Sequence, residues 1–294
     1  MAEPAQVAAV LEGMADAGID HIVVGDHVSF FVGFGFDGLV HAAALSMLHP
    51  SLPVYTGVYL LPLRHPVPVA RQLSTFAGMA PGRLVFGVGI GGEDRHEVAI
   101  CGVDPATRGQ RMEESLVLLR GLLTGAPTSF HGRFFDVDDA VIVPAPAPPI
   151  PIVIGGRSDA AVRRAGRFGE GWIGIWVSPE RFRGAVATVA EEAAAAGRAE
   201  VDWRHGMTVW CGFADQRDTA RELLASSMQA VYQLPFERFE RYSPYGKPDD
   251  VAAFLAPYVE AGCCDVNLLA RGRDPVETIA AVGEVKRLLA RVRR

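Results

Sequence analysis

Short, wholly apolar runs recur along this chain, and each is followed by a longer amphipathic stretch. The runs are Ile22-Val23-Val24, 54–58 (VYTGV), 84–88 (LVFGV), 152–154 (IVI), 172–175 (WIGI), 207–212 (MTVWCG) and 265–269 (DVNLL). A strand that is apolar throughout has to be covered on both faces, which is the situation in parallel sheets. Helical spacing marks the intervening stretches at 5–17, 38–48, 66–79, 107–124, 158–168, 178–197, 215–231 with 249–261, and 275–292. This alternation predicts parallel β/α units and an α/β fold of the (β/α)8 TIM-barrel kind. A length of 294 residues with 49% apolar content suits one such barrel, read as a single domain over 1–294. Seven strands are counted where about eight close a barrel, and only Met1 to Pro4 precede the first helix. The usual first strand is therefore expected to be missing or truncated, or its gap filled by another segment, since an open gap would leave two unpaired edges.

Two stretches break the repeat. Residues 126–151 hold Ser129-Phe130-His131-Gly132-Arg133-Phe134-Phe135 and then PAPAPPIP, which reads as a hairpin and a stiff lead into the next strand. Residues 232–248 are aromatic, charged and proline-containing, a candidate substrate lid. The balance of 28 Lys+Arg against 34 Asp+Glu, with no basic tract before Arg293-Arg294, argues against a nucleic-acid partner. Cys101, Cys211, Cys263 and Cys264 form no C-x-x-C and suit a reducing, cytoplasmic setting. No apolar run approaches the length of a membrane span, and no secretory leader is expected.

Chemistry in such a fold belongs just after the strands. Asp26 and His27 follow the first strand, where a histidine can carry a proton or bond a ring carbonyl. Arg64 and His65 could meet an anion, although Pro66 beside them also marks a helix start. Gly87, Gly89, Gly91 and Gly92 run from the end of the third strand at a density that lets backbone approach a flat ligand, with Glu93 and His96 next to them as proton carriers. No helix opens directly after this run, so it does not read as a dinucleotide fingerprint. Gly155-Gly156-Arg157-Ser158 ends a strand and starts a helix, offering amides and positive charge to a phosphate; an ordinary turn and cap is the alternative. No metal-binding pattern is present, and the lysines, Lys247 and Lys286, lie off the strands, which argues against Schiff-base and metal-hydrolase barrels.

The order of these segments resembles the bacterial luciferase-like monooxygenase family, in particular its branch using the deazaflavin coenzyme F420. The stretches that carry the resemblance are Gly25-Asp26-His27, Thr56-Gly57-Val58, Arg64-His65-Pro66, Ala70-Arg71, Pro81-Gly82-Arg83, Gly87-Val88-Gly89 and Arg111-Met112-Glu113-Glu114. Further along come Pro149 to Ile152, Gly155-Gly156, Arg164 to Arg167, Gly169 to Trp172, Gly246-Lys247-Pro248 and Ala261-Gly262. The resemblance implies a hydride-transferring enzyme acting on a small organic molecule, with Asp26 and His27 by the ring and His27 moving a proton. It implies a bulge at Gly57-Val58, often with a cis peptide, backing the ring. It also implies Glu93 and His96 near the ring edge or substrate, Gly155 to Ser158 on the phosphate, and a homodimer. A tryptophan shortly after the histidine marks the sugar-phosphate-oxidising members; Ser29-Phe30-Phe31-Val32 stands there instead, so that activity is not expected. Phe30, Phe31 and Phe34 are candidates to face an apolar substrate. Two alternatives share these motifs: a monooxygenase using reduced FMN and oxygen, and a non-catalytic barrel that binds flavin or a partner.

Overall fold

Among the described residues, seven strands make up the body of one nine-stranded parallel sheet: β1 (Ile22–Val24), β2 (Val54–Thr56), β4 (Leu84–Gly89), β7 (Ile152–Gly155), β8 (Gly171–Ile175), β9 (Gly206–Phe213) and β11 (Asp265–Arg271). They pair in that order, and in a computed structural model describing residues 3–31, 33–92, 94–198 and 200–292 every one of these pairings is parallel. Short strands β3 (Tyr59–Leu60) and β10 (Tyr245–Gly246) flank β4 and β9 near their C-terminal ends, while β5 (Thr128–His131) and β6 (Asp136–Ala140) form the expected separate hairpin.

The helices are α1 (Pro4–Asp16), α2 (Gly38–Leu48), α3 (Pro66–Met79), α4 (Arg95–Ile100), α5 (Arg108–Leu122), α6 (Asp159–Phe168), α7 (Pro179–Ala195), α8 (Arg217–Tyr232), α9 (Pro248–Glu260) and α10 (Pro275–Leu289). Their starts are chemically marked. Asp37, Asp94, Ser158, Ser178 and Asp274 accept first-turn amides, and prolines occupy the opening turns of α3, α7, α9 and α10.

The sheet has two kinds of surface. Ile22, Val54, Phe86, Ile154, Val209 and Cys211 pack with helix residues such as Leu116, Phe182 and Leu255. Tyr55, Val85, Val153 and Ile173 pack instead against one another on the inner face, with Val58 beside them. No ladder joins β11 to β1 among the described residues. Side chains span that seam: His21 Nε2 lies 2.6 Å from Asn267 Oδ1. The seven strands expected from the sequence are all present in the expected order, and this polar contact occupies part of the space between β11 and β1. Among the described residues no helix is long and apolar enough to cross a membrane.

Candidate functional site

Because the strands are parallel, the residues following β1, β2, β4, β7 and β8 all lie at one end of the sheet. Asp26 comes first and is fully engaged. Its Oδ2 accepts Arg64 Nη1 at 2.6 Å and Leu60 N at 2.8 Å, and its Oδ1 accepts Arg64 Nη2 and Gly38 N, each at 2.8 Å. Burial pushes this carboxyl upward in pKa, and the Arg64 guanidinium and the two amides oppose that. With four donors on its two oxygens, Asp26 fixes the loop that carries His27, and Arg64 is taken up by this pair rather than left open to an anion. His65 caps α3 through Nδ1 and Val67 N.

His27 is one-third exposed and stacks on Phe30 with ring centroids 4.1 Å apart. Its Nδ1 lies 3.1 Å from Oε2 of Glu97, a buried residue of α4, whose Oε1 accepts the amides of Val28 at 2.7 Å and Ser29 at 3.0 Å. Asp94 caps α4 and also accepts the Phe31 amide at 2.8 Å. Burial would raise the Asp94 carboxyl, but the amides of Phe31, Glu97 and His96 outweigh it and hold the group below its ordinary range. His96 is exposed on the first turn of α4, and Glu93 lies outside the described residues. The carboxylate that meets His27 is Glu97, which the sequence pattern does not single out. The available signal was Asp94, a helix cap that places Glu97 on the first turn of a short helix.

The Gly57-Val58 peptide is cis, as the resemblance implied. It interrupts one continuous edge: Tyr55 pairs with Val85 and Tyr59 with Val88, so four steps on one strand match three on the other. That single extra residue is a bulge. Val58 occupies the room it creates. A Cβ on Gly155 would sit 2.7 Å from Val58 Cγ1, and one on Gly89 would collide with Val58 Cγ2. Gly89 and Gly155 therefore leave the room that Val58 occupies. Gly92 by contrast has open space where a side chain would be, and Gly91 has φ +68°.

At the start of α6 the expected phosphate turn differs in one detail. Gly156 N–H donates to Ile173 O of β8 at 3.3 Å, because the parallel pairing of β7 with β8 runs on to it, so this amide is not free for an anion. Ser158 Oγ accepts Ala161 N. First-turn amides ahead of Ala161 have no intrahelical partner, and Arg157, Ser158 and Asp159 are exposed beside them. Arg157 lies over the Trp176 ring at 5.2 Å. The cradle therefore combines a Val58 platform, an open Gly91-Gly92 edge and a cationic helix start, which fits a flat cofactor with an anionic tail.

Over the same end lies a cap. Helix α8 packs on the face of β9 that carries Trp210, with Leu224 and Met228 against Trp176, Trp210, Phe236 and Phe239. The segment that follows α8, the expected lid, is tied down by Arg221, which donates to Glu240 at 2.7 Å, and by Tyr245 Oη, which donates to the same carboxylate at 2.9 Å. Arg271, at the end of β11, lies over the Trp210 ring at 4.5 Å, and burial lowers its pKa.

Comparison with known proteins bears on this geometry. A profile of the family described as luciferase-like monooxygenase matches residues 2–263. An uncharacterized protein of Mycobacterium tuberculosis is 36% identical over 159 residues, a match spanning 54% of this chain and 54% of that protein, so about half of each. A protein of Microbacterium testaceum named F420-dependent glucose-6-phosphate dehydrogenase is 28% identical over 95% of this chain and 90% of its own length. Among solved structures, an F420-dependent secondary alcohol dehydrogenase in complex with an F420-acetone adduct superposes with a TM-score of 0.85, at 20% identity, over 98% of this chain and 96% of that one.

Proposed function

This chain belongs to the luciferase-like monooxygenase family, and from that premise we propose that it is an F420-dependent oxidoreductase that moves hydride between the cofactor and a small organic substrate. The observation that carries the reading is Val58, held across Gly89 and Gly155 at the strand ends as a platform for a flat ring. When bound, coenzyme F420 supplies a two-electron acceptor or donor at its ring. Val58 backs that ring and Gly57 makes the bulge, while Gly91 and Gly92 leave its edge uncovered. Arg157, Ser158 and the open amides of α6 hold the phosphate. His27 exchanges a proton with the substrate, and His96 serves at the ring edge or substrate, the role also expected of Glu93 from the sequence. The cap of α8 and residues 233–247 excludes water above the reacting atoms.

The same cradle admits FMN, which would make the protein a monooxygenase. Titrating the purified protein with F420 and with FMN, followed by cofactor fluorescence, separates the two. Micromolar affinity for F420 supports the proposal, affinity for FMN alone transfers it to the oxygen-using reading, and binding of neither ends both.

The chain works as a homodimer in the cytoplasm under this reading. Val40, Met47 and Met79 are exposed apolar residues on α2 and α3, and a groove of about 220 Å³ runs between the two helices. Such a face favours burial against a second copy. Among the described residues the cysteines form no disulfide, which suits the cytoplasmic reading.

A further inference from the structure

We propose that Glu97 is the positioning residue of this site: it holds His27 in the tautomer whose Nε2 is free to take a proton from a substrate hydroxyl. The inference rests on the oxidoreductase reading for its chemistry, but its core is a statement about two side chains of the protein itself.

A carboxylate can only accept hydrogen bonds. Three groups from one loop converge on Glu97: Val28 N at 2.7 Å and Ser29 N at 3.0 Å on Oε1, and His27 Nδ1 at 3.1 Å on Oε2. The first two are backbone N–H groups and have no alternative. For the third contact to be a bond, the neutral imidazole must carry its hydrogen on Nδ1, which leaves the lone pair on Nε2. Among the described residues no hydrogen bond engages Nε2. Phe30 stacks on the ring at 4.1 Å and sets its plane, so both the tautomer and the orientation are specified.

The neighbouring charges do not supply this function. Asp26 is occupied by Arg64 and two amides, and Asp94 by the amides of Phe31, His96 and Glu97. Cys101, at the end of α4, is pushed up by burial and so stays a thiol at neutral pH. In the oxidation of an alcohol, the carbinol C–H hydrogen leaves with its electron pair to the cofactor. The O–H proton passes to His27 Nε2, and the carbon–oxygen bond becomes a carbonyl.

The test uses cofactor-free protein labelled with nitrogen-15 at the histidine rings, with long-range proton–nitrogen correlation spectra assigned through His27→Asn. Wild type should show Nδ1 protonated and Nε2 pyridine-like at His27, and Glu97→Gln should show a mixture of tautomers. A wild-type Nε2–H tautomer overturns the proposal even if Glu97→Gln fails to fold, and an unchanged pure Nδ1–H tautomer in folded Glu97→Gln overturns it as well. On secondary alcohols of three to ten carbons, Glu97→Gln should lower kcat about 100-fold while F420 affinity stays within about threefold. An unchanged kcat, or an F420-binding wild type that oxidises none of the series, overturns the proton-acceptor role. Failure to bind F420 would defeat the cofactor reading instead and would leave the tautomer result standing.

Discussion

Asp26 and Arg64 meet fork to fork, with Nη1–Oδ2 at 2.6 Å and Nη2–Oδ1 at 2.8 Å, immediately before the histidine of the site. The Asp26 side chain is fully shielded from solvent and that of Arg64 largely so. Removing one partner of such a pair strands the other charge. Asp26→Asn should therefore destabilise the fold by about 3 kcal/mol, read as a lowered urea midpoint. A double-mutant cycle with Arg64→Met should return part of that loss, because it removes the stranded cation. Equal midpoints for wild type and Asp26→Asn would show that the pair contributes nothing.

His205 is buried, stacks on Trp203, and accepts the Trp172 amide at Nδ1 with a distance of 3.3 Å. Burial lowers its pKa from 6.5 to about 4. The unfolded chain therefore binds this proton more readily than the folded one. Stability is fully present above about pH 6.5 and is lost as pH falls towards 4, by about 3 kcal/mol for a gap of roughly 2.5 pH units. His205→Asn keeps an acceptor but does not titrate. The difference between urea midpoints at pH 7 and pH 4.5 should shrink in that variant, and an undiminished difference would assign acid loss to other groups.

Most of the strands and helices were legible because the strands are apolar throughout and the helices open on prolines and capping side chains. The site was legible only in part, and for identifiable reasons. Helix α4 is six residues of mixed polarity, too short for a periodic signal, and so Glu97 stayed hidden although its contact with His27 is made across 70 residues of chain. At Gly89 and Gly155 the space a Cβ would take is filled by Val58, a neighbour that only the register of the strands brings there. The free amide expected at Gly156 is taken by Ile173, a consequence of strand register, which single-sequence reading cannot supply. Two helices follow β9, and no local pattern says that α8 lies on the Trp210 face as a cap while α9 packs behind the sheet.

The Val58 platform makes its own prediction. In Gly155→Ala the new methyl would sit 2.7 Å from Val58 Cγ1 and 3.3 Å from Ile173 Cγ2, inside a packed inner face. Overpacking of this kind costs about 1–3 kcal/mol, and displacing Val58 should also weaken F420 binding. Val58→Ala in the same chain should recover stability without recovering affinity. Full affinity in Gly155→Ala would mean that the ring rests elsewhere.

Val40 is 67% exposed on α2 and lines the groove facing Met79 of α3. Placing a charge there should leave the monomer's packing intact and oppose apolar association. Sedimentation of Val40→Glu should give the mass of one 31.5 kDa chain where the wild type gives twice that. A wild-type protein that sediments as a monomer at micromolar concentration would remove the homodimer from the proposal.

The anion end of the cradle is best probed at Arg157. Gly156→Asp would confound charge with backbone strain, since Gly156 has φ +136° and a Cβ there would sit 2.9 Å from that of Ala161. Arg157 is exposed and meets Trp176 only through its ring face, so reversing its charge should leave the fold's melting temperature nearly unchanged. Opposite an anionic tail at a helix start, Arg157→Glu should raise the Kd for F420 about tenfold at low salt, or about 1.4 kcal/mol. The gap should narrow at about 1 M salt, where screening acts within roughly 3 Å. An F420 affinity that ignores both the substitution and the salt would place the phosphate away from α6.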